Sequence, residues 1–304
     1  MTSSQTSATP ASPLRVGLLG TGPWAERVHG PALVAHPGTE LVGVWGRRPE
    51  AAASLAKELD SRAYDDVDAL IADVDAIAVA LPPDIQAPLA VRAARAGRHL
   101  LLDKPLATTV EGAREVADAA RDVASVVFFT LRFSAAVAPW ITEQTSHEGW
   151  YTGRVDWIGS IYAPDTKNPY AESPWRRERG ALWDVGPHAL SVLLPVLGEI
   201  TEVTSLRGQL DTVHLLLRHE STATSTVTLS LTAPEKASGV SAEFRGAVGV
   251  AQLPEVWGDG PLAAYGTAID ALLDSVRTGV PHDCDARFAA RVTEILARAE
   301  AELR

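Results

Sequence analysis

The chain has 304 residues, of which 46% are apolar and 21% are charged, and its formal net charge is −11. This length exceeds what one hydrophobic core usually holds, so we expect two domains, and the negative charge disfavours nucleic acid and anionic membranes as partners. The single cysteine, Cys284, excludes an intrachain disulfide and fits a reducing, cytoplasmic compartment.

Residues 1–12 are rich in Ser, Thr and Ala, with neither a basic start nor an apolar core segment. We therefore predict a short disordered tail rather than a secretory signal. No apolar run of the sequence approaches the roughly 18–20 residues that a membrane-spanning helix needs.

Strands and helices alternate from residue 13 to residue 131. Short apolar runs predict the strands, and the capped or periodic stretches between them predict the helices. The strands are expected at residues 14–19, 40–45, 74–81, 99–102 and 126–131, and the helices at residues 24–35, 49–59, 85–96 and 109–121. Such alternation is typical of an α/β domain with a doubly wound parallel sheet and right-handed crossovers.

The pattern changes in residues 132–304. Residues 150–162 and 201–250 have high strand propensity, and no crossover helix separates the last strands, so they should pair mainly antiparallel. Helices are expected at residues 187–197, 262–277 and 285–303. We predict an α+β domain whose open, mostly antiparallel sheet carries helices on one face, with the last helix packed back against one of the two domains.

A glycine-rich turn follows the first predicted strand and opens the first helix. Its residues are Gly20, Thr21, Gly22, Pro23, Trp24 and Ala25. The first glycine permits a tight turn, the second lets the backbone approach a pyrophosphate at the helix N-terminus, and the small alanine permits close helix–strand packing. In this context the spacing G-x-G-x-x-A predicts a dinucleotide-binding Rossmann domain at residues 13–131, with an ordinary glycine-rich turn as the alternative.

The tip of the second strand bears on the choice of dinucleotide. Its residues are Gly46, Arg47 and Arg48, and none is acidic. An acidic side chain there would bind the ribose 2′-hydroxyl of NAD, whereas arginine suits the 2′-phosphate of NADP. The sequence therefore predicts that NADP is preferred and that NAD is possible. The alternative is that both arginines are solvated loop residues.

Three residues have the chemistry for hydride transfer to or from an alcohol, namely Lys104, Asp184 and His188. Lys104 follows the fourth predicted strand, and open α/β sheets bind ligands at the carboxyl ends of their strands. A histidine can take the hydroxyl proton, an ammonium can stabilise charge on the oxygen, and a carboxylate can orient both. Asp184 and His188 are four residues apart, so on one helix they would share a face.

Each of these residues also has an ordinary structural interpretation. Lys104 could be a solvated turn residue, and Asp184 could cap the following helix, which would leave His188 as a structural histidine. No metal is expected, because the remaining histidines lack ligand spacing. The sequence also lacks a G-x-S-x-G nucleophile motif, and Cys284 is not placed as a nucleophile.

The same motifs occur together, in this order, in a known family. The sequence resembles the glucose–fructose oxidoreductase and inositol dehydrogenase family, often called Gfo/Idh/MocA, from residue 14 to residue 303. Besides the glycine turn, the resemblance rests on Leu81-Pro82-Pro83, on residues 96–105, which end in Asp103-Lys104-Pro105, on Arg132-Phe133, and on residues 180–188, which match G-x-L-x-D-x-G-x-H.

The resemblance implies that Lys104, Asp184 and His188 are catalytic, with His188 as the general acid/base. It also implies cofactor contacts from residues that follow the strands, namely Leu81, Pro82, Pro83, Gln86, Asp103, Lys104, Pro105 and Arg132. Family members act on sugars, cyclitols and related polyols and form dimers or tetramers through the C-terminal sheet, so we expect the same here. The exposed face of such a sheet would otherwise be a large apolar patch, which also favours association.

Some positions depart from the family pattern. Gln86 replaces a histidine that often follows the third-strand prolines, and Asp103 replaces a glutamate. An indole can stack on a sugar ring and a guanidinium can bind hydroxyls or a carboxylate, although core packing and solvation are the alternatives. The candidates for substrate contact are therefore Trp175, Arg176 and Trp183, together with Lys104 and His188.

The leading hypothesis is an NADP-preferring dehydrogenase or reductase that acts on a sugar- or polyol-like alcohol or ketone. A second hypothesis, from a different class, is a dinucleotide-binding regulator or sensor with the same fold and no turnover. A third keeps the cofactor but takes an imine or another non-sugar unsaturated compound as substrate.

Overall fold

The first sheet is formed by six parallel strands in a computed structural model that describes residues 12–163, 168–256, 258 and 260–303. The strands are β1 (Leu14–Leu19), β2 (Thr39–Trp45), β3 (Arg62–Tyr64), β4 (Ala76–Val79), β5 (His99–Asp103) and β6 (Ser125–Phe128). Their order is β3-β2-β1-β4-β5-β6, so the winding reverses between β1 and β4. The predicted doubly wound parallel sheet is confirmed, and such a reversal point is where open α/β sheets bind ligands.

The helices of this half begin where the sequence places caps and prolines. They are α1 (Gly30–Ala35), preceded by a π-helical turn (Ala25–His29), α2 (Pro49–Glu58), α3 (Val67–Asp73), α4 (Pro83–Arg95) and α5 (Val110–Ala119). The Thr109 side chain accepts a hydrogen bond from the backbone N–H of Gly112, and prolines occupy the first positions of α2 and α4. All four residues of β4 are buried, as expected for the centre of a parallel sheet.

The sequence patterns miss β3 and α3. β3 has only three residues at the edge of the sheet, and two of them are exposed, so it shows no apolar run. α3 has seven residues, which are too few for a clear helical period. Its only sequence signal is the cap Asp66, whose carboxylate accepts a hydrogen bond from the backbone N–H of Asp68.

The second sheet also has six strands. They are β7 (Trp150–Ile158), β8 (Ile200–Arg207), β9 (Val213–His219), β10 (Thr224–Ser230), β11 (Gly239–Gly246) and β12 (Gly249–Gln252). Their order is β12-β11-β7-β10-β9-β8, and among the described strands of this sheet only β7 and β10 pair parallel. The predicted mostly antiparallel sheet is confirmed. Burial alternates along β9, which indicates one covered face and one open face.

The open face of the second sheet carries many polar side chains. Arg154 is paired with Asp156 on β7, with 2.8 Å between the guanidinium and the carboxylate, and Arg245 is paired with Glu243 on β11 at 2.6 Å. Exposed positions of β10 are occupied by threonine. The expectation of a large apolar patch on this face is therefore wrong, because its outward residues are largely threonines and ion-paired side chains.

Five helices accompany the second sheet, namely α6 (Val137–Thr145), α7 (Pro174–Asp184), α8 (Gly186–Leu197), α9 (Gly260–Thr278) and α10 (Ala286–Glu302). The sequence patterns miss α6 and α7. α7 is kinked at Gly180, whose φ is 64°, and α8 follows it almost directly. α9 packs against β5, β6 and α1, whereas α10 packs against α5 and β8, so both final helices contact the first half of the chain.

The stretch Pro174–Leu197 is long and apolar enough to span a bilayer by length and composition. The expectation that no segment approaches that length is therefore wrong. In the fold, 83% of its most apolar window is buried inside the protein, and α8 packs against β7 and β10. The burial identifies this stretch as a core helix pair of the folded chain. The predicted tail, apart from Ser12, lies outside the described residues.

Candidate active site

A cavity of about 580 Å³ lies at the carboxyl ends of β1, β2, β4 and β5. The turns after these strands form one side, and residues 170–176 from the second half of the chain close the other side. The cavity thus occupies the reversal point of the parallel sheet. The predicted site residues that line it are Thr21, Gly22, Pro23, Trp24, Arg47, Arg48, Leu81, Pro82, Asp103, Lys104, Trp175 and Arg176.

The glycine turn has the backbone geometry that a dinucleotide diphosphate requires. Gly20 has a φ of 132°, and a Cβ there would lie 2.3 Å from the carbonyl oxygen of Ala80. A Cβ added at Gly22 would meet nothing within 4 Å, because this residue borders the cavity. Residues 23–35 form the helix that follows, and Ala25 is buried in its packing. The open cradle at a helix N-terminus fits a bound diphosphate.

A side chain at residue 46, at the tip of β2, would crowd the glycine turn. A Cβ on Gly46 would lie 2.6 Å from the Cγ2 of Thr21 in the glycine turn. An acidic residue at this position would therefore require the Thr21 side chain to move. Arg47 and Arg48 are exposed and line the cavity. The turn after β2 thus presents two guanidinium groups and no carboxylate. The prediction of a phosphate-binding role for these arginines remains a prediction.

Lys104 lies at the far end of the cavity from Arg47 and is held at both its backbone and its tip. Its backbone N–H donates to Oδ1 of Asp103 at 2.8 Å. Its ammonium donates to the backbone carbonyl of Asp184 at 2.7 Å and to Oδ1 of the same residue at 3.0 Å. The Lys104–Pro105 peptide bond is cis. The two halves of the chain thus meet at this lysine.

Asp184 is the shared partner of two buried cations. Besides Lys104, its Oδ1 accepts a hydrogen bond from Nε of Arg176 at 3.1 Å. Burial alone would raise the pKa of the Asp184 carboxyl, but the Lys104 ammonium and the Arg176 guanidinium outweigh it and lower that pKa to about 2. The carboxylate is therefore ionised throughout the physiological range and holds both cations in place.

His188 is buried beside this charged group rather than bonded to it. Its ring stacks on Trp157 with 4.7 Å between centroids and 15° between planes. Burial, followed by the nearby Lys104 ammonium, lowers the pKa of His188 well below 6.5. The ring is thus neutral near pH 7. Within the described part of the chain its Nδ1 has no hydrogen-bond partner.

The expected pairing of Asp184 with His188 on one helical face does not occur. Asp184 ends α7, and α8 begins at Gly186, so the two residues lie on different helices. No hydrogen bond joins the carboxylate to the imidazole among the described residues. The alternative role of Asp184 as a helix cap is also wrong, because Val185 is the N-terminal cap of α8 and makes no side-chain capping bond.

Three predicted site residues point away from the cavity. Gln86 is completely buried, and its amide bonds to the backbone of Asp103. Arg132 donates to the backbone carbonyl of Ser191 at 3.2 Å, on the other side of the sheet's carboxyl edge from the lining residues. The indole N–H of the buried Trp183 donates to the exposed carboxylate of Glu300 at 2.9 Å. Their predicted contacts with cofactor or substrate are thus corrected to structural contacts.

The remaining predicted residues support the cavity from behind. Pro83 is the buried first residue of α4, and Pro105 is buried directly after Lys104. Neither lines the cavity. Their rings shape the turns that carry Pro82 and Lys104, so their contribution is to backbone geometry.

The segment that closes the cavity carries no recognisable sequence pattern. Tyr170 stacks on Trp24 of the glycine turn with 5.6 Å between ring centroids. Glu172, Ser173 and Pro174 also line the cavity. No periodicity or motif marks these residues, and only Trp175 and Arg176 drew attention through their side-chain chemistry. The guanidinium of Arg176 lies 4.8 Å from the ring centroid of Trp175.

Tyr162 is a further polar group near the charged cluster. Its hydroxyl is buried and has no hydrogen-bond partner within the described ranges of the chain. Burial, and then the Asp184 carboxylate, raises the pKa of this phenol. Across the described ranges, no group of three or more His, Cys, Asp or Glu side chains is arranged to hold a metal ion.

Two family models match the chain. A model described as an oxidoreductase family with an NAD-binding Rossmann fold matches residues 14–130. A model described as the GFO/IDH/MocA C-terminal domain matches residues 151–252. The two matched regions correspond to the two sheets of the fold, and together they cover most of the chain.

Two similar proteins are sugar enzymes by name. The chain is 30% identical over 214 residues to dTDP-3,4-didehydro-2,6-dideoxy-alpha-D-glucose 3-reductase of Streptomyces violaceoruber, which covers 66% of this chain and 59% of that protein. It is 30% identical over 204 residues to D-glucoside 3-dehydrogenase of Escherichia coli, which covers 63% and 56%. The chain thus spans less than two thirds of the length of the curated relatives that it matches.

A solved structure shares the fold over nearly the whole chain. It is GenD2 from gentamicin A biosynthesis, in complex with NAD. The TM-score is 0.84 at 23% sequence identity, and the alignment covers 99% of this chain and 97% of that one. At this identity the similarity shows the common fold and nothing further.

Proposed function

The chain belongs to the GFO/IDH/MocA oxidoreductase family, and on that premise we propose that it transfers a hydride between a nicotinamide cofactor and an alcohol or ketone carbon of a sugar or polyol. One observation carries the proposal. The Lys104 ammonium is held by Asp184 at one end of a cavity whose other wall is the glycine turn. A cation so placed can stabilise charge on a reacting oxygen next to a bound dinucleotide.

The cofactor would be held by the turns after the parallel strands. Gly20 and Gly22 would receive its diphosphate, and Leu81 and Pro82 would form the wall near the ring. When bound, a nicotinamide supplies the hydride chemistry that no amino acid side chain provides. Lys104 lies on the same side of the cavity as these residues.

The proton is handled by His188 in this mechanism. Because the ring is neutral near pH 7, it can accept the hydroxyl proton as an alcohol is oxidised. The Lys104 ammonium faces the same oxygen and stabilises its developing negative charge. Asp184 keeps Lys104 in place, since its carboxylate bonds directly to the ammonium. In the reverse direction, His188 returns the proton to the new hydroxyl.

We propose that NADP is preferred over NAD. Arg47 and Arg48 line the cavity after β2, and Gly46 at the tip of this strand supplies no carboxylate for a ribose hydroxyl. Guanidinium groups bind phosphate oxygens in bidentate geometry, which supports recognition of a ribose 2′-phosphate.

The substrate is proposed to be a sugar-like molecule that contacts Trp175 and Arg176. Both side chains line the cavity close to Lys104. Nε of Arg176 is committed to Asp184, which leaves its terminal nitrogens for a ligand's oxygens. An indole beside them offers a flat apolar face for a sugar ring. The names of the similar reductase and dehydrogenase agree with this substrate class.

We also propose a homodimer or homotetramer that uses the open face of the second sheet. Leu206 and Leu216 are 61% and 54% exposed on neighbouring strands of that face. Burial of these leucines against a second copy would remove apolar surface from water. Light scattering of the purified protein and of Leu216→Arg tests the idea, because the variant should shift the assembly towards monomer. An unchanged mass would place any interface elsewhere.

The central experiment titrates the protein with NADPH and with NADH and then measures turnover with sugars, polyols and imines. We expect tighter binding of NADPH and turnover only with hydroxylated substrates or their ketones. Lys104→Ala should abolish turnover while cofactor binding persists. Binding of both dinucleotides without turnover on any substrate would instead favour a sensor, and turnover of imines alone would replace the substrate class.

A further inference from the structure

A buried amide joins two strand ends of the active-site cavity. Gln86 lies in the first turns of α4 and is 0% exposed. Its Oε1 accepts a hydrogen bond from the backbone N–H of Asp103 at 2.8 Å. Its Nε2 donates to the backbone carbonyls of Asp103, Pro105 and Leu106, at 2.7, 3.2 and 3.3 Å. All four contacts fall on the turn that carries Lys104.

These contacts pair a buried side-chain amide with backbone groups of the turn. A buried donor or acceptor left unpaired costs about 1–3 kcal/mol, so the turn depends on what faces it. In the described part of the chain, the only other side chain that bonds the backbone of residues 103–106 is Asp103 itself, which accepts from the N–H of Lys104. Gln86 is therefore the principal external support of this turn.

The same residue is tied to the end of the neighbouring strand β4. The backbone N–H of Gln86 donates to the carbonyl of Pro82 at 2.8 Å, within the first turn of α4. Leu81 and Pro82 line the cavity where β4 ends, and Lys104 lines it where β5 ends. Gln86 thus connects two neighbouring strand ends whose separation sets the distance from the Lys104 ammonium to any ring bound against Pro82.

We propose that Gln86 is a positioning residue that sets the placement of Lys104 relative to the cofactor wall. This inference rests on the proposed function, because it concerns the catalytic use of Lys104. Gln86 touches neither cavity nor ligand and acts only through the turn of residues 103–106. Its loss should therefore lower kcat, while the cofactor dissociation constant and its KM change little.

The amide is chemically suited to this task. A carboxamide presents one acceptor and two N–H donors, which match one backbone N–H and several carbonyls. A neutral imidazole presents one donor and one acceptor, so Gln86→His retains part of the network. A protonated carboxylic acid also presents one donor and one acceptor, but an ionised carboxylate would face three carbonyl oxygens. Burial raises the pKa of such a carboxyl, which makes Gln86→Glu a titratable probe.

The experiment measures kcat, KM and NADPH dissociation constants for the wild type, Gln86→Glu, Gln86→His and Gln86→Leu from about pH 5 to about pH 9. Every rate is divided by the folded fraction at the same pH. For Gln86→Glu we expect a kcat near that of the wild type in acid and a fall of about a hundredfold as the new carboxyl ionises. Cofactor binding should stay within about threefold. Gln86→His should retain more activity than Gln86→Leu.

Gln144→Glu is the matched control, because Gln144 is also buried but lies on α6 and bonds to Glu143. It should show no such pH limb. The inference is overturned if kcat per folded enzyme has the same pH profile in Gln86→Glu as in the wild type. This test does not require Gln86→Leu to fold. Failure of the proposed function is distinct, because the wild type itself would then lack turnover. If Lys104→Ala loses turnover and the Gln86 variants do not, only the positioning role fails.

Discussion

The two ends of the cavity are built on different principles. At the cofactor end, Gly22 leaves the cavity open, Gly20 and Gly46 permit close contacts within the turns around it, and Arg47 and Arg48 are exposed. At the reactive end, a buried carboxylate holds two buried cations from segments far apart in the chain. Lys104 and Asp184, for example, are separated by 80 residues.

This difference in burial predicts which single substitutions should change stability and activity most. Exposed charges are hydrated whether or not a ligand is present, so losing one costs little stability. Buried charges rely on one another, and removing one leaves its partner unpaired in a low-dielectric site. We therefore expect large, coupled effects at the reactive end and small, separate effects at the cofactor end.

The largest effect is expected for Asp184→Ala. The Lys104 ammonium and the Arg176 guanidinium, with side chains only 10% and 13% exposed, would lose their shared carboxylate. The free energy of unfolding should fall by about 3–5 kcal/mol. Turnover should fall at least about a thousandfold, because Lys104 is no longer held. Denaturant unfolding and steady-state rates measure the two effects.

A double variant and a surface control sharpen this prediction. Adding Lys104→Met to Asp184→Ala should recover part of the lost stability, because one unpaired cation is removed. Asp283→Ala removes an exposed carboxylate that is 3.9 Å from Arg132 and should change stability by less than about 1 kcal/mol. Equal stability of Asp184→Ala and Asp283→Ala would contradict the contrast between the two ends.

The next effect concerns His188. His188→Gln should reduce turnover by about 10²–10⁴-fold while NADPH binding is preserved. Since burial and the Lys104 ammonium hold the pKa of His188 well below 6.5, the proton-accepting ring is present at neutral pH. The rate of alcohol oxidation by the wild type should therefore decline only as the pH falls through that lowered pKa.

His219→Gln is the control for this variant. His219 is also a buried histidine, but it bonds to the carbonyl of Gly198 and to Ser225 in the second sheet. Its replacement should leave the rate per folded enzyme unchanged. An acid limb centred at or above 6.5 in the wild-type oxidation profile would argue against His188 as the base.

An intermediate effect, on stability, is expected for His29, which lies next to the cavity-lining residue Asp103. This ring is completely buried, stacks on Tyr265 at 4.1 Å and lies 3.9 Å from Asp103. Burial lowers the pKa of His29 from 6.5 to about 3. Between these two pH values the unfolded chain binds a proton at His29 and the folded chain does not. The free energy of unfolding therefore declines as the pH falls below 6.5 towards 3.

The variant His29→Leu should remove this acid sensitivity. At about pH 5 the wild-type histidine costs about 2 kcal/mol of stability relative to neutral pH, and the variant should lack that loss. Unfolding curves at the two pH values make the comparison, with exposed His214→Leu as the control. If the free energy of unfolding depends equally on pH in the wild type and in His29→Leu, the folded protein also binds the proton at His29 at the lower pH, which would contradict the prediction.

The smallest effect is expected for the exposed arginines. Arg47→Ala or Arg48→Ala should weaken NADPH binding about tenfold each, which is about 1.4 kcal/mol, and leave NADH binding unchanged. The melting temperature without ligand should not move. Arg27→Ala removes an exposed charge that is near in sequence but outside the cavity lining, and it should alter neither affinity. Equal losses for NADPH and NADH would remove the basis for a 2′-phosphate site.

The cofactor end and the parallel sheet could be predicted from the amino acid sequence to a large extent. Gly20 is needed because the backbone turns there, and Gly22 borders the cavity where a ligand approaches the backbone, and such demands are local. The strands β1, β4 and β5 are short apolar runs bounded by glycine and proline. β3, α3 and α6 could not be predicted from the sequence, because a short edge strand or a short helix has too few residues to show a periodic pattern.

The reactive end could be predicted only as a set of residues, and its contacts depend on tertiary structure. The amino acid sequence alone was enough to name the candidate catalytic groups, which are Lys104, Asp184 and His188. In the folded chain Asp184 bonds to Lys104 and Arg176 instead of His188, because α7 ends at Asp184 and His188 belongs to the separate helix α8. The fold also decided that Gln86 and Trp183 face the interior. Side-chain direction at these positions results from packing between distant segments, which local patterns do not encode.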